Sequence, residues 1–274
     1  MTADVPGRTG APGARIVVVG KGGVGKSTLS ALMARILARS GMTVVAVDAD
    51  EQQNLAATLG IAPEAGSSIV PVASAVDYVE EKTGARPGEG AGAMLRLNPD
   101  TRDLVDRLAV SAPDGVRLLV MGGVGGAGGG CLCPETAVIS AAVAGMRLHR
   151  DEVVVMDTHA GVEHFGRSLA RGFDTAVAVA DPSSNALSVA TESSRLAYDL
   201  GIPTVHLVVN RIRSERDIEW VRRFLAGERG ELFRSTTFLP FEAAALDYEP
   251  GVEPLFACPG LLAAVTNLTG VLVA

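Results

Sequence analysis

Residues 15–28 read RIVVVGKGGVGKST, and no other stretch restricts the possible folds as strongly. An apolar β-branched run, 16–19, stops at Gly20 and a helix-like segment, 29–39, begins after Thr28. Strand, glycine-rich loop and helix in that order form a cradle for phosphate. Gly20, Gly22, Gly23 and Gly25 leave the backbone bare around Val24, so successive N–H groups can converge on phosphate oxygens. The start of the helix adds its partial positive charge at the same place. Lys26 is positioned for the β- and γ-phosphates and Ser27 for Mg²⁺, with Thr28 opening the helix. A nucleoside triphosphate with Mg²⁺ is the expected ligand.

The rest of the chain alternates in the same way. Strands are expected at 43–47, 116–121, 152–156, 175–180, 204–209 and 236–239. Helices are expected at 76–82, 101–108, 134–148, 183–200, 218–225 and 260–273. Such alternation predicts an α/β fold: a doubly wound, mainly parallel sheet with helices on both faces. Residues 15–274 read as one domain, long enough for a substantial core. Residues 1–14, rich in Gly, Pro and Ala, read as a flexible leader without the apolar segment of a targeting signal. Aromatics are only 4% of the chain, so the core is expected to rely on Ala, Val and Leu.

Two strands end in carboxylates, where ligands of open α/β sheets bind. Strand 43–47 delivers Asp48-Ala49-Asp50, and strand 152–156 delivers Asp157. An apolar strand finished by one carboxylate has the form of a Walker B motif and suits Mg²⁺ held through water. Ala160-Gly161 completes D-x-x-A-G, in which Gly161 can bring its N–H to a γ-phosphate. Asn210-Arg211 follow a buried-looking strand, and an amide there can pair with a purine. A guanine reader carries an acidic residue three positions later, but here that position is Arg213, so ATP is favoured over GTP. Pro240, Phe241 and Glu242 are expected to pass behind the base.

The net charge of −7 argues against a generally basic surface for nucleic acid. No apolar run approaches a membrane span, and residues 261–274 lack the Lys and Arg of a basic membrane-targeting helix. Three cysteines, Cys131, Cys133 and Cys258, make no disulfide framework, and a cytoplasmic protein is expected. Cys131 and Cys133 form a C-x-C after a glycine run. Two thiolates suit a soft or borderline metal such as Ni²⁺ or Zn²⁺, and a two-fold dimer would bring four together. A redox pair or two buried thiols fit the same spacing.

Lys21, directly after the first glycine, makes the loop a deviant Walker A, KGGVGK[ST]. It resembles the MinD/ParA group of dimeric ATPases, which includes nitrogenase iron proteins and metal-insertion ATPases. The resemblance implies that Lys21 reaches across an ATP-dependent homodimer to the partner's nucleotide. It also implies that Asp48 lies in the outer shell of Mg²⁺ and that Asp50 orients the attacking water. Residues 122–135, GGVGGAGGGCLCPE, and 154–167, VVMDTHAGVEHFGR, resemble more specifically the CooC-type ATPases that mature nickel-containing carbon monoxide dehydrogenase. That family holds metal between protomers at the C-x-C, which implies a metallochaperone with a metalloenzyme client. Glu163, His164 and Arg167 match its E-H-x-G-R and are expected to couple the second switch to the interface. Two positions depart from the pattern: Glu51 replaces a proline, and His159 replaces a glutamate. A metal ligand, a pH-sensitive contact and simple drift are all compatible with His159. A positioning or partitioning ATPase without a metal role is the alternative reading, followed by an iron–sulfur reductase, which needs more widely separated cysteines.

Overall fold

The computed structural model describes residues 13–86, 96, 100–122, 138–141, 148–160, 172–247 and 249–274. Among the described residues, eight strands run β1 (Ala14–Gly20), β2 (Thr43–Ala49), β3 (Val110–Ser111), β4 (Arg117–Val120), β5 (Glu152–Thr158), β6 (Thr175–Ala180), β7 (Thr204–Ile212) and β8 (Ser235–Pro240). They form one sheet in the order β3-β4-β2-β5-β1-β6-β7-β8. Every pairing is parallel except β3 with β4, where Val110 faces Leu118 at the edge. The flanking helices are α1 (Lys26–Arg39), α2 (Leu55–Leu59), α3 (Val76–Thr83), α4 (Leu104–Leu108), α5 (Ser184–Asp199), α6 (Glu215–Phe224) and α7 (Pro259–Leu272), with several single turns between them.

Strands buried on both faces read as continuous apolar runs, and this chain shows why. Ile16 to Val19 of β1 and Ala176 to Ala180 of β6 are fully buried. Their small and β-branched side chains let α1 pack on β1, β2 and β5, while α5 packs on β6, β1 and β7. The core is accordingly aliphatic, and among the described residues Phe173, Tyr78 and Phe233 are its few buried aromatics. The far end of α1 is fastened by ions. Buried Arg35 donates from Nε to Asp114 at 2.6 Å and also pairs with Glu253, while Arg39 stacks 3.6 Å from the Phe256 ring centroid. These contacts fix the end of α1 opposite the phosphate loop.

The elements depart from their expected bounds for identifiable reasons. Helix α1 starts at Lys26 because Gly25 takes a left-handed conformation (φ +98°) that turns the loop directly into the helix. Helix α6 starts at Glu215, three residues early, because Ser214 and Asp217 form a capping box. The helix expected at 101–108 shortens to α4. Edge strand β3, only two residues long, has no periodicity to find. Of the helix expected at 134–148, residues 138–141 are helical and 148 lies outside the helix; the others fall outside the described residues. The expected leader also lies there, apart from Gly13 and Ala14.

Candidate nucleotide site

Strand β1 lies mid-sheet between β5 and β6, so its loop emerges beside the ends of both. Gly20 ends β1 opposite Val179 at φ +143°, and a Cβ there would stand 2.2 Å from the Val179 carbonyl oxygen. No side chain fits between these backbones. Val24 is buried at the tip of the turn. Lys26 folds back under the loop and donates from Nζ to the Lys21 carbonyl at 3.2 Å. Burial lowers its pKa, and the charges of Asp157 and Asp50 counter that effect. Lys21 itself is half-buried.

Asp157 is fully buried at the end of β5 and accepts two hydroxyl protons. Ser27 Oγ donates to it at 2.5 Å and Ser30 Oγ at 3.1 Å. Burial pushes its carboxyl up to about 6, against the pull of Ser27, Lys26 and Ser30. Asp48, also fully buried, is its direct neighbour in the register of β2 and β5. Burial, and then the charge of Asp157, push Asp48 up to about 7. Asp157 and the Ser27 hydroxyl are hard oxygen donors, and a divalent cation beside them relieves the repulsion between the two adjacent buried carboxylates. The residues therefore fit Mg²⁺. Asp50 is half-exposed, its Oδ1 accepting the Gln52 N–H at 2.9 Å, and its charge is felt at both Lys26 and Asp157.

Gly25, Thr28, Asn210, Arg211, Pro240 and Phe241, all selected from sequence, line one cavity beside the loop. Arg213 stacks on Phe241, its guanidinium carbon 3.7 Å from the ring centroid. The Asn210 side chain is engaged with the loop: Nδ2 donates to the Val24 carbonyl at 2.9 Å, while Oδ1 accepts the Arg211 N–H at 2.8 Å. Arg211 turns through φ +61°, within a register irregularity of β7 between Val209 and Ile212. Gly25 is bare because a Cβ there would lie 2.5 Å from Asn210 Nδ2. Asn210→Ala should therefore leave the Val24 carbonyl unpaired, a loss of about 1–3 kcal/mol. If half of that falls on the bound state, ATP affinity drops about two- to tenfold, readable by calorimetric titration.

Sequence reading overlooked Ser30, though it lies one helical turn beyond Ser27 and so faces the same carboxylate. It also overlooked Leu239, Ala245 and Leu246 in the cavity wall. His159 is exposed, with Nδ1 placed 2.9 Å from the Ala160 carbonyl oxygen. No group of three or more metal-ligating side chains occurs among the described residues. Cys131, Cys133, Gly161, Glu163, His164 and Arg167 lie outside those residues. Cys258 is a half-buried free thiol held up in pKa by burial and by Glu242. No described helix is long and apolar enough to cross a membrane.

Residues 16–240 match the CbiA family, described as the CobQ/CobB/MinD/ParA nucleotide binding domain. The chain belongs to that family. It is a P-loop ATPase of the MinD/ParA type, as the deviant loop implied. The carbon monoxide dehydrogenase accessory protein CooC of Rhodospirillum rubrum is 37% identical over 230 residues, 84% of each chain. An uncharacterized ATP-binding protein of Methanocaldococcus jannaschii is 34% identical, covering 86% of this chain and 88% of its own. The fold resembles that of the MinD cell division protein of Aquifex aeolicus, with a TM-score of 0.62 at 18% identity over 93% of this chain and 94% of that one. The CooC-type resemblance drawn from the C-x-C and second-switch segments is thus shared by most of the MinD/ParA-type domain.

Proposed function

We propose that this ATPase is a dimeric metallochaperone that uses ATP to deliver nickel to carbon monoxide dehydrogenase or a related metalloenzyme. The observation that carries the reading is 37% identity, spread over 84% of both chains, with a carbon monoxide dehydrogenase accessory protein. The C-x-C of Cys131 and Cys133 supplies the thiolates such a cargo needs, Ni²⁺ or Zn²⁺ being held between two protomers. A purely positioning or partitioning ATPase has no use for that pair.

Hydrolysis follows from the residues around the loop. The loop N–H groups and the start of α1 bind the phosphates, and Lys26 neutralises charge on the γ-phosphate. Ser27 and Asp157 are the groups that would hold Mg²⁺, which would supply further charge neutralisation at the phosphates. Asp50 orients a water for in-line attack on the γ-phosphorus, whose bond to the β,γ-bridging oxygen breaks as ADP leaves. Lys21 crosses to the partner's nucleotide and so makes turnover depend on dimer closure.

The test is titration with Ni²⁺ and Zn²⁺, with and without ATP, of the native protein and of the Cys131→Ala/Cys133→Ala variant. Native protein should bind about one metal per dimer, with an affinity that changes on adding ATP, and the variant should bind none at that site. Equal binding by the two proteins removes the metallochaperone reading. Asp50→Ala should keep ATP affinity yet lose turnover by about 100-fold in a phosphate-release assay. Normal turnover removes the water-orienting role.

A further inference from the structure

The carboxylate of Asp48 is completely buried, yet it touches neither Lys26 nor Ser27 through any hydrogen bond among the described residues. Its two oxygens are taken by the chain that follows it. Oδ1 accepts the N–H of Asp50 at 3.1 Å, and Oδ2 accepts the N–H of Leu55 at 2.9 Å. Leu55 is the first residue of α2, whose Asn54 cap makes no side-chain hydrogen bond to the helix. Asp48 therefore caps α2 from seven residues upstream and closes residues 48–55 into a loop. Its own carbonyl accepts the Met121 N–H at 2.8 Å, fixing the end of β4 to the same point. Beside it in the sheet, Asp157 gives its oxygens to Ser27 and Ser30 on α1. Of two neighbouring carboxylates, one grips the nucleotide helix and the other grips the loop that carries Asp50.

We infer that Asp48 is a positioning residue for hydrolysis, which holds Asp50 and the start of α2 in place through backbone hydrogen bonds, rather than a group of the metal's shell. The inference rests on the water-orienting role of Asp50 proposed above. The geometry calls for a carboxylate, because the two N–H groups are received by separate oxygens. Asparagine has nearly the same shape but keeps one acceptor and presents an NH₂ to the second N–H. A merely structural carboxylate would lower stability and leave the kinetic constants of the folded fraction alone. A positioning carboxylate lowers kcat.

The test compares Asp48→Asn with Asp157→Asn in steady-state ATP hydrolysis while Mg²⁺ is varied. Asp48→Asn is expected to lower kcat about 10–100-fold, the effect of a reacting group displaced by about 1 Å. The KM for ATP and the Mg²⁺ concentration for half-maximal rate should stay within about twofold of native. Asp157→Asn should instead raise the Mg²⁺ requirement. An unchanged kcat in Asp48→Asn overturns the inference. So does a Mg²⁺ requirement that rises in step with Asp157→Asn, because that would place Asp48 on the metal. Should the variant not fold, amide hydrogen exchange of the native protein decides. Slow exchange at Asp50 and Leu55 supports the inference, and exchange as fast as in an open loop overturns it. The Asp50→Ala assay is independent of these: loss of turnover there with native kinetics in Asp48→Asn sinks this inference alone.

Discussion

ATP turnover by a Lys26→Ala variant is expected to fall by about 10²–10³, the scale on which removal of one preorganised charge-stabilising donor acts. The lysine is only 6% exposed and its ammonium group already rests on the Lys21 carbonyl oxygen. The ammonium is therefore already held within the loop. Burial weakens its hold on the proton while Asp157 and Asp50 strengthen it, so the ammonium depends on the carboxylates at the sheet edge. Removing it leaves Asp157 and Asp50 beside the incoming phosphates with one fewer cation between them. Arginine should not restore the rate, because a guanidinium fork is too broad for a pocket closed over a single ammonium. Single-turnover phosphate release measures the step directly, and a rate within a few-fold of native for Lys26→Ala would remove Lys26 from the mechanism.

The largest loss of stability is expected from Gly20→Ala. Its methyl would sit 2.2 Å from the Val179 carbonyl oxygen, at a φ of +143° that L-residues rarely adopt. Neither backbone can yield, since β1 and β6 are registered across the middle of the sheet. Overpacking and backbone strain together predict a loss of about 3 kcal/mol or more. Gly23→Ala is the matched control: its φ is also positive, at +77°, but nothing lies within 4 Å of the added carbon. It should cost about 1 kcal/mol. Denaturant unfolding of the two variants separates the effects, and equal losses would show that the approach to Val179 is not what requires glycine at position 20.

Much of this site could be read from the chain because its signals are local. The phosphate loop lies within nine consecutive residues, and Asp48, Asp50 and Asp157 each follow an apolar strand. The alternation of 16–19 with 29–39 places that loop at a sheet edge without further information. What escaped was contact across long stretches of sequence. Asn210 could be picked out as a purine-pairing amide, but its bond to the Val24 carbonyl, 186 positions away, could not. The irregularity that aims it depends on Arg211 at positive φ, which no arginine advertises. Asp48 could be recognised as a carboxylate at the right edge. That both of its oxygens are turned toward the following loop is a property of the folded backbone. Strand β3 escaped for a different reason: two residues carry no period.

The placement of β1 has a consequence in linkage. Its loop is joined to β6 through Gly20 and Val179, to β7 through Asn210 and Val24, and to β5 through Ser27 and Asp157. Residues from four central strands thus meet at the ligand, so phosphate binding weighs on the equilibrium between the whole sheet and the unfolded chain. At an ATP concentration 100 times its Kd, that equilibrium shifts toward the folded state by about 2.7 kcal/mol. The lifetime of the chain against proteolysis then becomes a record of nucleotide supply.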